Sequence, residues 1–391
     1  MNYILFDSDV RNSLLPFTYT RPVADIRIGV LTIREKWEKF LGFTTTSITE
    51  EYLENKYPMV ELDKNILINA SFLPTKNLVK QVSNLSNNQA IFKDEQVIAF
   101  FTSDTQEHVD FDSYEQLEFK EEVLQIKNTW DIFSLNDKAI KADYDLITQG
   151  RTSAPIPEGV HAINKENIFI EEGATISFSS LNASTGPIYI GKDSEIMEGC
   201  LVRGPFAMCE HSVLKMGAKV YGATTLGPYC KVGGEVNNSV LFGFSNKGHE
   251  GFLGNSVLGE WCNVGADTNT SNLKNNYAEV KLWDYHAERF TNTGLQFCGL
   301  MMGDHSKCGI NTMFNTGTVI GVSANIFGSG FPRNFIPSFS WGGAAGFTTY
   351  QLNKVIEVAK VVMKRRELEW SEIDEKILQH VFDETAKNRA K

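Results

Sequence analysis

The chain has 391 residues, with 37 Lys and Arg against 48 Asp and Glu, a formal net charge of −11. That length suggests two or three domains, and 42% hydrophobic with 22% charged residues reads as a folded globular protein. The acidic balance argues against nucleic acid as a partner, and no apolar run is long enough for a membrane span. The opening Met-Asn-Tyr-Ile-Leu-Phe-Asp lacks a basic segment and does not read as a signal peptide. Six cysteines without any Cys-x-x-Cys fit neither a zinc site nor a disulfide framework, which suggests free thiols in a reducing cytoplasm.

From the N-terminus, candidate strands at Tyr3–Phe6, Ile66–Asn69 and a hairpin within Ile91–Phe101 alternate with helical stretches, predicting an α/β domain over residues 1–155. The Pro-rich Arg151-Thr-Ser-Ala-Pro-Ile-Pro-Glu-Gly marks its end. Of 31 glycines, 27 lie between Gly173 and Gly346, the density of closely spaced turns. Within that region an apolar residue recurs every six positions: Ile190, Ile196, Val202, Met208, Leu214, Val220, Leu226, Val232. Eight such hits by chance have a probability of about one in a thousand at this composition. A second run keeps the step through Met302, Cys308, Phe314, Ile320 and Ile326, and Ile170 and Ile176 begin an earlier one.

A period of six is neither helical nor simple strand alternation. It suits a three-sided prism in which each hexad supplies one face, its apolar residue pointing inward, with coils stacked at the inter-strand spacing. A left-handed parallel β-helix of hexapeptide repeats is therefore predicted over residues 156–345; an ordinary β-sandwich is the alternative, with longer spacing between strands. The register breaks at Asn237–Gly254 and at about Ser271–Thr293, and such breaks are expected to be loops on a binding face. Residues 346–391 read as helices, one with Val355, Val358, Ala359 and Val362 on a stripe. The other is capped by Ser371, with Ile373, Ile377 and Val381 inward.

At the first break the chain reads Gly-His249-Glu-Gly. A glycine-flanked histidine can take a proton from an attacking amine, and equally reads as a solvated loop residue. Glu-Val-Asn-Asn-Ser-Val-Leu (from Glu235), Ser-Asn-Lys-Gly-His, Leu-Gly-Asn and Asn-Val-Gly-Ala-Asp-Thr-Asn-Thr-Ser-Asn run together over nearly 40 residues. This stretch resembles the acetyltransferase half of the bacterial bifunctional glucosamine-1-phosphate acetyltransferase / N-acetylglucosamine-1-phosphate uridylyltransferase family. The resemblance implies His249 as general base, helped by Glu235. It also implies Asn272 as a sugar or cofactor contact, Ala266 beside the pantetheine of acetyl-CoA, and a homotrimer with sites between adjacent prisms. Two positions depart from the family pattern: a phosphate-holding lysine is Asn237 here, and a tyrosine is Phe252. Lys247 or Lys274 is then expected to meet the sugar phosphate.

At the other end, Leu15-Pro-Phe-Thr-Tyr-Thr-Arg-Pro-Val-Ala-Asp resembles the signature of sugar-nucleotide pyrophosphorylases. The longer stretch from Arg11 to Gly29 resembles a shortened Bacteroidetes-type version of the bifunctional family. That resemblance implies uridylyl transfer from UTP with Mg²⁺ in the N-terminal domain. The motif is depleted, however. Ser8-Asp-Val-Arg-Asn-Ser replaces the glycine-rich phosphate loop, and Ser71 falls near the metal-holding aspartate. Arg11, Arg21, Arg27 and Arg34 remain as candidate phosphate ligands. Two readings stay open: a bifunctional enzyme, or a single-activity acyltransferase with a degenerate nucleotidyltransferase-like domain. A trimeric β-helix metal hydratase would need His211, His249 and His305 to converge, and their coil positions do not match.

Overall fold

A computed structural model describes residues 2–103 and 109–389. The N-terminal part is a six-stranded mixed sheet flanked by helices. Its first strand (Asn2–Phe6) lies between Thr46–Ile48 and Asn65–Asn69 in parallel, and the hairpin Gln89–Lys93/Gln96–Thr102 continues the sheet antiparallel. Helix Ile33–Leu41 starts at a Thr32–Glu35 capping box, where side chains satisfy two otherwise orphaned amides, and it buries Trp37 in the core. The last helix of this part, Asn136–Thr148, precedes a connection that enters the second architecture.

From His161 the chain winds as a three-sided parallel β-solenoid of about ten turns, as the hexad stride predicts. The six-residue stride is its wall pattern. Ile190, Met208 and Leu226 stack on one face, Ile196, Leu214 and Val232 on the next, and Val202 and Val220 on the third. All of these are at most 2% exposed, so each hit is a rung of one continuous core. Burial of stacked aliphatics, at about 25 cal/mol per Å² of apolar surface, drives the winding.

The first expected break is not a loop. Across Asn237–Gly254 the chain keeps coiling on shorter sides. Leu226 stacks on Leu241 fifteen residues later, whereas Met208 stacks on Leu226 after eighteen. The apolar stride fixes which residues face inward but not how many round a corner. The second break is a true insertion. It carries the antiparallel hairpin Lys281–Asp284/Arg289–Asn292, after which Met302 resumes the stack on Leu258.

Helices Leu352–Lys364 and Glu372–Glu384 follow the solenoid, and Ser371 caps the second in a box with Asp374. The N-terminal part packs on the nine-stranded face. Phe17 meets Phe242 at 5.2 Å between ring centroids, and Arg27 donates to the Phe242 carbonyl at 3.0 Å. Arg21 bridges to Asp304 and lies 3.3 Å from Glu260, both in the solenoid. The edge beside that face carries a stack of rings, His211, Tyr229, Phe244, Trp261 and His305, closed by Trp370 from the C-terminal segment. His211 and His305 thus do share a coil position, contrary to the sequence reading, but three aromatic coils separate them and His249 lies on another edge. All six cysteines are unpaired and buried. Among the described residues, no helix is long and apolar enough to cross a membrane.

Candidate functional site

With one face covered by the N-terminal part, the six-stranded face from His161–Ile163 to Phe252–Gly254 presents its outward side chains at the surface. Strand alternation sends Lys219, Tyr221, Glu235, Asn237 and Phe252 outward here. Their neighbours Val220, Val236 and Leu253 line the interior. Glu235 pairs in register with Phe252, and Asn237 with Gly254. The Tyr221 hydroxyl donates to Glu235 Oε1 at 2.6 Å, and that bond raises the phenol's pKa.

His249 sits on the bend that leads into this face, between strands Asn246–Lys247 and Phe252–Gly254, with its imidazole exposed. Two glycines about this bend have a steric reason, whereas a Cβ on Gly248 would meet nothing. Gly251 adopts φ +114°, and a Cβ there would lie 2.1 Å from the Thr268 carbonyl. The bend crosses over Gly234, where a Cβ would lie 2.8 Å from the His249 carbonyl. His249 therefore rides above the residue preceding Glu235. Ala266 occupies the same edge one coil on, where the Asp267 amide donates to the Glu250 carbonyl at 3.0 Å. Asn272 closes the end of the face. Its Nδ2 donates to Asn255 Oδ1 at 2.8 Å, and a Cβ on Gly254 would touch both Asn272 Nδ2 and the Phe252 ring.

Glu235, His249, Phe252, Ala266 and Asn272, spread over 38 positions, are thus gathered on one edge and its adjoining face. Among the described residues, no hydrogen bond joins Glu235 to His249. The carboxylate, held flat on the face, is engaged by Tyr221 instead. Sequence reasoning missed Tyr221, yet its position one residue past the inward Val220 would have placed it beside Asn237 and Glu235.

Lys247, expected at the sugar phosphate, is instead buried. Its register partner is Val232, so its side chain lies inside the prism in a column of aliphatics and is only 2% exposed. The ammonium donates to the carbonyls of Gly233 (2.8 Å) and His249 (2.7 Å), and burial pulls its pKa down to about 8. It pins the backbone of the histidine bend from within. Lys274 lies elsewhere, on the insertion, donating to the Glu279 carbonyl at 2.7 Å.

In the N-terminal part the arginines are engaged internally. Arg11 is buried on Asp7 and on the Thr18 carbonyl, and the Tyr52 hydroxyl lies 2.9 Å away. Arg21 is buried on Asp304, Arg27 holds backbone carbonyls, and Arg34 forms a two-pronged pair with Asp25. Arg21 and Arg27 dock the loop after the first strand to the solenoid, and Arg11 and Arg34 fasten it within the N-terminal part, so all four are committed to partners inside the protein. The residues also do not fit Mg²⁺. Ser71 is 1% exposed, its hydroxyl donates to Asn69 Oδ1, and no cluster of three metal-ligating side chains exists among the described residues.

Residues 3–152 match the model of a family described as sugar nucleotidyl transferase. No curated protein matches the chain. Among solved structures it is similar to LpxA, a UDP-N-acetylglucosamine acyltransferase from Bacteroides fragilis, at 14% identity over 58% of this chain and 84% of that one, with a TM-score of 0.29. It is similar also to the Arabidopsis UDP-N-acetylglucosamine acyltransferase, at 13% identity over 60% of this chain and 94% of that one, TM-score 0.25. The polySia-specific acetyltransferase NeuO gives 11% identity over 49% and 85%, TM-score 0.25.

Proposed function

We propose that this protein transfers acetyl from acetyl-CoA to the amine of an amino-sugar 1-phosphate, glucosamine-1-phosphate being the first candidate, at the edge carrying His249. The observation that supports it most is the gathering of Glu235, His249, Phe252, Ala266 and Asn272 beside one exposed imidazole. In this reading the imidazole takes the ammonium-derived proton as the amine nitrogen attacks the thioester carbon. The C–N bond forms, the C–S bond breaks, and the sulfur leaves with the electron pair and picks up a proton as free coenzyme. Holding amine and thioester in contact supplies much of the rate, so no covalent enzyme intermediate is required.

A homotrimer with sites between neighbouring prisms belongs to the same reading. Phe178 (71% exposed), Met216, Ile310 and Phe327 lie exposed along the edge that carries His249, and Leu201 and Ile163 on the open face. Large apolar side chains repeated along one edge suit burial against a second copy. Unpaired cysteines accord with a cytoplasmic setting.

For the N-terminal part, uridylyl transfer from UTP is the reading its motif resemblance supports. The second reading, a nucleotidyltransferase-like domain without turnover, is favoured by the internal pairing of Arg11 and Arg21 and by Ser71 at the metal position. Two assays separate them: thiol release from acetyl-CoA with glucosamine-1-phosphate, and pyrophosphate release from UTP with N-acetylglucosamine-1-phosphate. His249→Ala is expected to abolish the first without changing the unfolding midpoint, since the side chain is exposed. Acetylation at the parental rate would refute the assignment.

A further inference from the structure

We infer that the cleft between the inserted hairpin and the last coils is a second ligand site, built for a flat ring joined to phosphate, the chemistry of a nucleoside phosphate. Its volume is about 690 Å³, within the range of small-molecule sites. The hairpin sets Trp283 opposite Phe290 in register, their rings edge to face at 5.4 Å. Trp283 also stacks on Phe335 of the solenoid at 4.2 Å and 11° between planes. Phe290 is 41% exposed, leaving an aromatic surface open to the cleft.

Around this wall stand Lys274, Lys281 and Arg333, and none of the nine lining residues is acidic. In a chain of net charge −11 that is a local reversal of sign, and it selects an anion. The Lys281 ammonium has no hydrogen-bond or ion-pair partner among the described residues. The Arg333 guanidinium lies 5.5 Å from the centre of the Phe347 ring, which fixes its place at the rim. A ligand with both a ring and a phosphate uses both halves of the cleft, whereas a bare phosphate or a bare nucleoside uses one. Neither His249 nor Glu235 lines it, so binding here can be read separately from acetyl transfer; only the coenzyme arm of the test rests on that reading.

Calorimetric titration of the full chain tests this with 3′,5′-ADP, UDP, adenosine and inorganic phosphate. At least one nucleotide is expected to bind at least tenfold more tightly than adenosine or phosphate. Preference for 3′,5′-ADP would identify a coenzyme's adenylate end as the source, and preference for UDP a nucleotide sugar. Lys281→Ala and Phe290→Ala, both at exposed positions, are each expected to weaken that binding about tenfold, while His249→Ala leaves it intact. The inference falls if neither nucleotide binds, if phosphate alone binds as tightly, or if both cleft variants bind as the parent does.

Discussion

Replacing Lys247 by methionine tests whether a charge is held inside the solenoid. Methionine keeps the length of the side chain and removes the ammonium. In the parent, burial lowers the Lys247 pKa from its ordinary 10.5 to about 8. The folded state therefore releases this proton at lower pH than the unfolded chain does, and the associated destabilisation is fully present below about pH 8. It fades as pH rises toward 10.5. At 1.36 kcal/mol per pKa unit, the parent gains roughly 2.5 kcal/mol from this residue between pH 7 and pH 10. At pH 7 the variant escapes a buried-charge cost of about 3 kcal/mol. It also leaves the Gly233 and His249 carbonyls without their donor, at about 1–3 kcal/mol each. These effects nearly cancel, so Lys247→Met is expected to match the parent at pH 7 and to be less stable by roughly 2–3 kcal/mol at pH 10. Urea unfolding followed by circular dichroism at both pH values reads the difference. Lys307, also held at about 8, contributes equally to both proteins and drops out. A parent–variant difference that stays constant with pH would refute the buried ammonium.

Two further substitutions probe docking and winding. Asp304→Ala strands the buried Arg21 guanidinium, leaving Glu260 at 3.3 Å as its remaining carboxylate, and is expected to cost about 3–5 kcal/mol in urea unfolding. A loss under about 1 kcal/mol would show that the pair does not hold the two parts together. Gly227→Ala would place a methyl 1.7 Å from the Phe242 carbonyl oxygen, on the coil that receives Phe17. Its expected effect exceeds the about 1 kcal/mol typical of point substitutions, and a parental thermal midpoint would contradict the close coil contact.

The sequence by itself determined the winding. Six-residue recurrence of aliphatics suits faces that each take one hexad better than the longer strand spacing of a sandwich, and every rung from Ile190 to Val232 lies where that stride puts it. The Ser371 cap was equally legible, because capping is a contact between residues three apart. Tertiary structure alone decided the rest. A lysine in an inward column reads as a break in an apolar pattern, and shortened corners read as an insertion, so Asn237–Gly254 looked like a loop although it winds. Arg11 and Arg21 looked available for phosphate because their partners are set by folding. Arg21's carboxylates lie more than two hundred positions away, on a different architecture. The aromatic, cationic cleft needs hairpin, coil and C-terminal segment together, and no local pattern encodes that meeting.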